Sequence, residues 1–267
     1  MIDIRNIEFS YNIVPVLQDV SCDIGKGDFV ALVGPNGSGK STLIKCINGI
    51  LKIQKGEILI DGLVSKTYSP NAMARKIAYV PQSESRQISA TVFDTVLMGR
   101  KPYISWKPSA SDLNITAEIL DLLDIDHLSM KRTNELSGGQ QQIVMIARAL
   151  AQEPEILLLD EPTANLDVRH QLEVLEVLKG LAAKGMTVVI AIHDINMAVR
   201  YANNIMMLKE GKVFSYGSKD DITAECIEHL YEIKAEVIHI EGIPHIIPKI
   251  SGKQRKYVCL RKFLPEE

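Results

Sequence analysis

The sequence predicts an α/β fold in which helices cover a mostly parallel sheet, with an N-terminal antiparallel β subdomain and an inserted α-helical subdomain. Short apolar runs that end in glycine or acidic residues alternate with helical patterns, which is typical of parallel strands. Residues 2–9 and 16–24 instead alternate apolar and polar side chains around a turn, which indicates antiparallel strands. Residues 83–150 read as mostly helical, and we therefore assign them to the inserted subdomain.

Composition limits the functions that this chain can have. Its 267 residues are 46% hydrophobic and 24% charged, which is ordinary for a globular protein. A net charge of −3 offers no global electrostatic basis for binding nucleic acid, and we expect no such partner. The four cysteines form no C-x-x-C pair, which favours a reducing cytoplasm. No apolar run approaches the ~20 residues of a membrane span, so another subunit would have to cross a membrane.

The chain is organised around a glycine-rich loop that fits the phosphate-binding pattern G-x-x-x-x-G-K-[ST]. A predicted buried strand, Phe29–Val33, precedes this loop, and the predicted start of a helix follows it. Glycines let the backbone approach a phosphate closely, Lys40 would reach the β- and γ-phosphates, and Ser41 would hold Mg²⁺. The predicted nucleotide-binding residues here are Gly34, Pro35, Asn36, Gly37, Ser38, Gly39, Lys40, Ser41 and Thr42.

Polar side chains follow three other predicted strands. Asp160 and Glu161 end the apolar run that starts at Ile156, His193 follows the run from Thr187, and Gln82 follows the run from Ile77. Ligands of open α/β sheets bind at the carboxyl ends of the strands. We expect Asp160 to hold Mg²⁺ through water, Glu161 to activate the attacking water, and His193 to contact the γ-phosphate. The alternatives are a solvated acidic turn, a structural histidine and an ordinary turn glutamine.

A second anion site is predicted where Ser137 begins a helix. A serine N-cap is by itself structural, but Gly138 and Gly139 directly after it would each cost about 1 kcal/mol inside a helix. We therefore expect another group to approach that backbone closely, and a helix N-terminus favours an anion. Tyr11, upstream of the phosphate loop, is either a loop anchor or a platform for adenine.

Together these residues resemble the ATP-binding subunit of an ABC transporter, over about residues 1–217. The fold that the resemblance implies is a P-loop NTPase (ABC ATPase) core. Leu136–Gln140 reads LSGGQ, the most family-specific feature of the sequence. The resemblance implies that Tyr11 stacks on adenine, that Gly34–Thr42 is the Walker A loop, and that Gln82 is the Q-loop glutamine, which contacts the γ-phosphate and Mg²⁺. It implies that Asp160 ends Walker B and that Glu161 is the catalytic glutamate. The signature would comprise Ser137, Gly138, Gly139 and Gln140, while Asp167 would be the D-loop aspartate and His193 the switch histidine.

A narrower resemblance is to the ATPases of importers for siderophores, haem, cobalamin and related metal chelates. It depends on Thr91–Arg100 followed by Pro102-Tyr103, and on Gly242–Pro248. The stretch Gln140–Val144 departs from the pattern, because many relatives have arginines flanking a glutamine there.

Residues 218–267 would form a C-terminal α/β extension packed on the ATPase domain. The alternative is a soluble ABC ATPase without a transport role, such as one that serves iron–sulfur assembly.

The resemblance also implies partners and a location. Two copies of the chain would associate head to tail around two ATP molecules, with the loop of one facing the signature of the other. Two permease subunits would hold the dimer at the cytoplasmic face of the membrane, and an extracytoplasmic protein would deliver the substrate. A groove near residues 83–107 would receive a permease helix, with Arg86, Tyr103 and Trp106 as candidates to line it.

Overall fold

A computed structural model describes residues 1–82 and 90–249. Arg86 and the basic residues after 250 therefore lie outside the described residues. The strands are β1 (Ile2–Tyr11), β2 (Val14–Ile24), β3 (Phe29–Val33), β4 (Lys55–Ile60), β5 (Leu63–Val64), β6 (Ile77–Val80), β7 (Ile156–Asp160), β8 (Thr187–Ala191), β9 (Asn204–Lys209), β10 (Lys212–Ser218), β11 (Ala235–Ile240) and β12 (Ile243–Pro248). The α-helices are α1 (Lys40–Ile47), α2 (Pro70–Lys76), α3 (Val92–Leu97), α4 (Ala110–Leu122), α5 (Gly138–Leu150), α6 (Val168–Ala183), α7 (Ile195–Tyr201) and α8 (Ala224–Tyr231).

The central sheet has six strands in the order β10-β9-β3-β8-β7-β6. Every neighbouring pair is parallel except β10 with β9, which confirms the predicted mostly parallel core. All residues of β3, β7 and β8 are buried, because helices or other strands cover both faces of the sheet. The carboxyl ends of β3, β6, β7 and β8 lie at one edge, where the predicted site residues follow them.

The N-terminal subdomain is an antiparallel sheet in the order β2-β1-β4-β5. Its strands pair in the predicted way, with Ile2 opposite Ile24 and Phe9 opposite Leu17. The apolar side chains of β1 are buried on one face, with a register shift between Ile4 and Ile7, and they share a core with the inward face of α1 and with Val30 of the central sheet. The period-2 pattern therefore marked the face that covers the nucleotide-binding core.

The inserted helices α3, α4 and α5 lie between β6 and β7, which confirms the predicted helical subdomain. In α4, burial does not follow polarity at two neighbouring positions. Leu113 is 42% exposed, whereas Asp112 is 5% exposed. Asp112 is buried because it accepts hydrogen bonds from Arg100 (3.1 Å) and from Ser109 (2.9 Å to the backbone N–H).

The C-terminal elements after residue 218 include the helix α8 and the strand pair β11–β12. Helix α8 contacts β9, and the hairpin β11–β12 contacts α7 through β12. Helices α2 and α7 were not predicted. The division at residue 217 stays a prediction. Among the described residues, no helix is long and apolar enough to cross a membrane.

Candidate nucleotide-binding site

The phosphate loop between β3 and α1 requires glycine at two positions. Gly34 has φ +151°, and a Cβ there would lie 2.1 Å from the carbonyl oxygen of Leu208 in β9. Gly39 is the left-handed N-cap of α1 (φ +105°), and its Cβ would lie 2.9 Å from Leu17 of β2. Backbone and side chains of both sheets therefore hold the back of the loop. Asn36 and Gly37, at its tip, are exposed.

Lys40 lies inside this loop. Its ammonium donates hydrogen bonds to the carbonyl oxygens of Gly34 (2.8 Å) and Pro35 (3.1 Å). Burial lowers the pKa of Lys40, and the nearby carboxylates of Glu161 and Asp160 oppose that effect. The Ser38 hydroxyl is buried and has no hydrogen-bond partner among the described residues. An ammonium group and an unpartnered hydroxyl on a glycine-rich loop fit a phosphate group.

Ser41 and Asp160 form the pair that could hold a metal ion. The Ser41 hydroxyl donates to Asp160 Oδ1 at 2.6 Å, and Asp160 is 2% exposed. The hydroxyl of Tyr79 lies 3.5 Å from Asp160 Oδ2. Hydroxyl and carboxylate oxygens are the ligands that Mg²⁺ prefers, so this donor set fits the predicted ion. Tyr79 was not predicted, although its place one residue from the end of β6 could have indicated it.

Glu161 is bound by the two other predicted polar residues of this edge. Gln82 donates to Glu161 Oε2 at 2.6 Å, and His193 Nε2 lies 2.5 Å from Glu161 Oε1. Glu161 itself has φ +52°, which is uncommon for a side chain other than glycine. Its N–H donates to the Ala191 carbonyl (3.1 Å), the last residue of β8. The structure therefore brings Gln82, Glu161 and His193 together, as their places at strand ends predicted.

Ser137 begins α5 with a reciprocal capping box. Its hydroxyl accepts from the Gln140 N–H (3.3 Å), and the Gln140 side chain accepts from the Ser137 N–H (3.1 Å). The two glycines between them differ. Gly138 is exposed, and a Cβ on it would lie 3.7 Å from Leu166, whereas a Cβ on Gly139 would lie 2.2 Å from the His170 ring. The close approach predicted for this backbone is therefore made at Gly139 by α6 of the same chain.

Gly139→Ala is expected to destabilise the fold, because the new methyl group meets three atoms of His170 within 3 Å. Overpacking of this kind costs about 1–3 kcal/mol. Gly138→Ala is the matched control, since its methyl group meets an ordinary contact and alanine favours the helix. Thermal unfolding of the two variants measures the difference. Equal melting temperatures would show that α6 can move away from α5 at little cost.

Asp167 lies beside this helix terminus rather than beside the phosphate loop. It caps α6 by accepting from the His170 N–H (2.9 Å), and its Oδ1 lies 2.7 Å from His170 Nδ1. The backbone hydrogen bond from His170 lowers the pKa of Asp167. His170 thus joins Asp167 to Gly139. Sequence reasoning missed His170, although a histidine three residues after a capping aspartate could have indicated it.

Tyr11 ends β1 and packs on its own hairpin, as expected of a loop anchor, while its role toward adenine stays a prediction. Its ring packs edge-on against Phe9, with the centroids 4.9 Å apart, and it remains 46% exposed. Phe9 lies opposite Leu17, the residue that contacts Gly39 of the phosphate loop. The exposed face of Tyr11 therefore belongs to the part of the hairpin nearest the predicted nucleotide.

Comparison with known proteins identifies the class that this fold and site define. The sequence profile of the ABC transporter family matches residues 17–164, which is more than half of the chain. The chain therefore belongs to the ABC transporter family, and its α/β core is that of an ABC ATPase. Membership implies nucleotide binding and ATPase activity.

Particular relatives are similar over most of their length. The chain is 35% identical to the hemin import ATP-binding protein HmuV of Thermobifida fusca, covering 91% of this chain and 87% of that protein. It is 34% identical to the petrobactin import ATP-binding protein FpuC of Bacillus anthracis, with 98% of each chain covered. Among solved structures, an inward-facing metal-chelate type ABC transporter matches with a TM-score of 0.82 and 33% identity, covering 93% of this chain and 97% of that one.

Proposed function

We propose that this chain is the ATP-hydrolysing subunit of an importer for a metal-chelate substrate, such as a siderophore, haem or cobalamin. One observation supports the proposal that two copies of the chain act as a dimer. The phosphate loop and the Ser137 helix terminus are both suited to phosphate, but they lie on separate elements of one chain. A second copy, packed head to tail, would complete both sites. The import ATP-binding proteins among its relatives support the direction of transport and the substrate class.

Residues of the described site would hold ATP and Mg²⁺ in defined roles. The loop amides and Lys40 would bind the β- and γ-phosphates, Tyr11 would stack on adenine, and Ser41, Asp160 and Gln82 would hold Mg²⁺, directly or through water. Bound Mg²⁺ would neutralise charge that develops on the phosphates. Ser137 and Gly138 of the second copy are exposed and would close over the γ-phosphate from the opposite side.

Glu161 would then act as the general base. Its two carboxylate oxygens contact Gln82 and His193, so the three side chains already share one set of hydrogen bonds. Glu161 would take a proton from the attacking water, while His193 would orient the carboxylate and contact the γ-phosphate. Release of phosphate would remove the contacts that join the two copies. Gln82 begins the segment leading to the helical subdomain, so its movement would carry the state of the site to that subdomain.

An apolar cleft of about 850 Å³ offers a surface for the permease. It lies between residues 46–53 and 65–79, and Gln152 lines it from the end of α5. No residue of the expected groove near residues 83–107 lines this cleft, and residues 83–89 of that groove lie outside the described residues. Tyr103 donates to the Gln152 carbonyl (2.9 Å), and the guanidinium groups of Arg75 and Arg100 both lie over its ring. Tyr103 therefore supports the cleft, whereas Trp106 is 94% exposed.

A pull-down from detergent-solubilised membranes tests the proposal. The wild-type chain is expected to recover a multi-span membrane protein. Ile50→Asp should lose that partner and keep its ATPase activity, because Ile50 lines the cleft and is 53% exposed. Met130→Asp is the control, since Met130 is 80% exposed in the helical subdomain and outside the cleft lining. Recovery of soluble iron–sulfur assembly proteins, with no membrane protein, would instead favour the non-transport alternative.

A further inference from the structure

The side chain of Asn196 binds both backbone polar groups of one residue in the C-terminal hairpin. Its Nδ2 donates to the carbonyl oxygen of Ile246 at 3.1 Å, and its Oδ1 accepts from the Ile246 N–H at 2.8 Å. Asn196 lies in the first turn of α7, and Ile246 is 3% exposed in β12. A single amide side chain therefore satisfies both backbone groups of a buried residue 50 positions away.

The pairing of the hairpin explains why Ile246 is available. Ile246 lies opposite Val237 in the antiparallel pair β11–β12, and within residues 1–82 and 90–249 this small sheet has two strands. Since Asn196 satisfies the N–H and the carbonyl of Ile246, these two groups point away from β11, toward α7. Left without Asn196, they would be buried polar groups, each of which is costly to leave unpaired. The contact is therefore specific to a side chain that can both donate and accept.

Asn196 is also close in sequence to the site. The turn His193-Asp194 joins β8 to α7, and Asp194 caps the helix by accepting from the N–H groups of Asn196 (2.8 Å) and Met197 (3.2 Å). The His193 ring, at the start of this turn, lies 2.5 Å from Glu161. Movement of the first turn of α7 would therefore move His193 relative to Glu161.

We infer that Asn196 is a positioning residue for His193, and that the C-terminal hairpin acts through it on the rate of ATP hydrolysis. The inference rests on the role proposed above for His193 and Glu161. Asn196 holds the first turn of α7 against β12, and the Asp194 cap transfers that constraint to the His193 turn. Residues 243–248 therefore belong to the machinery that sets catalytic geometry, although they lie behind the site.

A second set of contacts shows that the hairpin does not depend on Asn196 alone for its attachment. Helix α8, which precedes β11, packs on β9 and β11, and its buried Ile227 and Leu230 share the main hydrophobic core with Ile246 of β12. Loss of the Asn196 contact should thus loosen the His193 turn while the C-terminal elements stay packed.

Asn196→Asp and Asn196→Ala test the inference by steady-state ATPase kinetics and nucleotide titration. The aspartate keeps the shape but faces the Ile246 carbonyl with a second acceptor, and the alanine removes both hydrogen bonds. We expect kcat to fall about tenfold in each, because small displacements of catalytic groups have effects of this size. The KM and the dissociation constant for ATP should stay within about twofold, since Asn196 does not touch the phosphate loop. Glu236→Gln is the matched control: it breaks an exposed ion pair with Lys249 on the same hairpin, and its kinetics should equal wild type.

A double-mutant comparison separates positioning from general stabilisation. In a His193→Ala background, Asn196→Asp should cause no further loss of kcat, because the group that it positions is already gone. Equal losses in both backgrounds, a parallel rise in KM, or unfolding of both Asn196 variants at the assay temperature would overturn the inference. A wild-type rate for His193→Ala would be a different failure, because it would contradict the proposed role of His193 itself.

Discussion

Glu161→Gln is expected to bind ATP with nearly unchanged affinity and to hydrolyse it about 10²- to 10⁴-fold more slowly. The amide keeps the shape of the side chain and can still contact Gln82 and His193, but it cannot accept a proton from water. Slow turnover should also prolong the ATP-bound dimer, because the γ-phosphate that would join the two copies persists. Phosphate release, nucleotide titration and size-exclusion chromatography with ATP measure the three effects.

Glu155→Gln is the matched control for this variant. Glu155 directly precedes β7, at the end of the strand opposite Glu161, and pairs with Lys76 (2.7 Å) at a partly exposed position. The same chemical change there should leave hydrolysis at the wild-type rate. Hydrolysis by Glu161→Gln at a rate near wild type would show that another group acts as the base.

Ser137→Arg is expected to abolish ATPase activity and to leave ATP binding by the monomer intact. The exposed N-terminus of α5 would present a bulky cation where the second copy's phosphates should dock, and the loss of the donors that meet developing charge typically costs about 10²- to 10³-fold. The substitution also removes an N-cap, worth about 1 kcal/mol, so the melting temperature should fall slightly. ATPase assays and nucleotide titration measure the two main outcomes.

Ser109→Arg controls for the lost cap, because Ser109 begins α4 with the same kind of capping box in the same subdomain. A stronger test mixes Ser137→Arg with Lys40→Ala. Each variant alone should be inactive, but their heterodimer contains one site with an intact loop and an intact signature, so the mixture should recover part of the activity. Loss of ATP binding by monomeric Ser137→Arg would instead place the signature at the loop of its own chain.

Much of the fold was predictable because its elements have strong local patterns. The buried strands β3, β7 and β8 are short apolar runs, which is the pattern from which the sequence predicted them. Helix α2 was missed because it buries none of its residues and so has no apolar period. Its signal was the capping Ser69 followed by Pro70. Helix α7 has only seven residues, too few for a clear period.

The sequence predicted those parts of the site whose positions follow from the topology of the parallel sheet. Parallel strands bring their carboxyl ends to one edge, so Ser41 and Asp160 could be expected to lie close together although 119 residues separate them. Contacts between side chains of the surrounding helices and loops cannot be predicted from the order of the strands. The His170 contact with Gly139 and the Asn196 contact with Ile246 depend on how helices pack in three dimensions, which the local sequence does not specify.

The turn between β9 and β10 ties the phosphate loop to both sheets. The Gly211 N–H donates to the Ser38 carbonyl (3.1 Å), and the Gly211 carbonyl accepts from Gln18 of β2 (2.8 Å). The two sheets therefore cannot separate without breaking backbone hydrogen bonds at this one glycine. We expect the amide protons of Gly211 and Gln18 to exchange with solvent only when the whole ATPase core unfolds, so that the loop and both sheets form one cooperative folding unit.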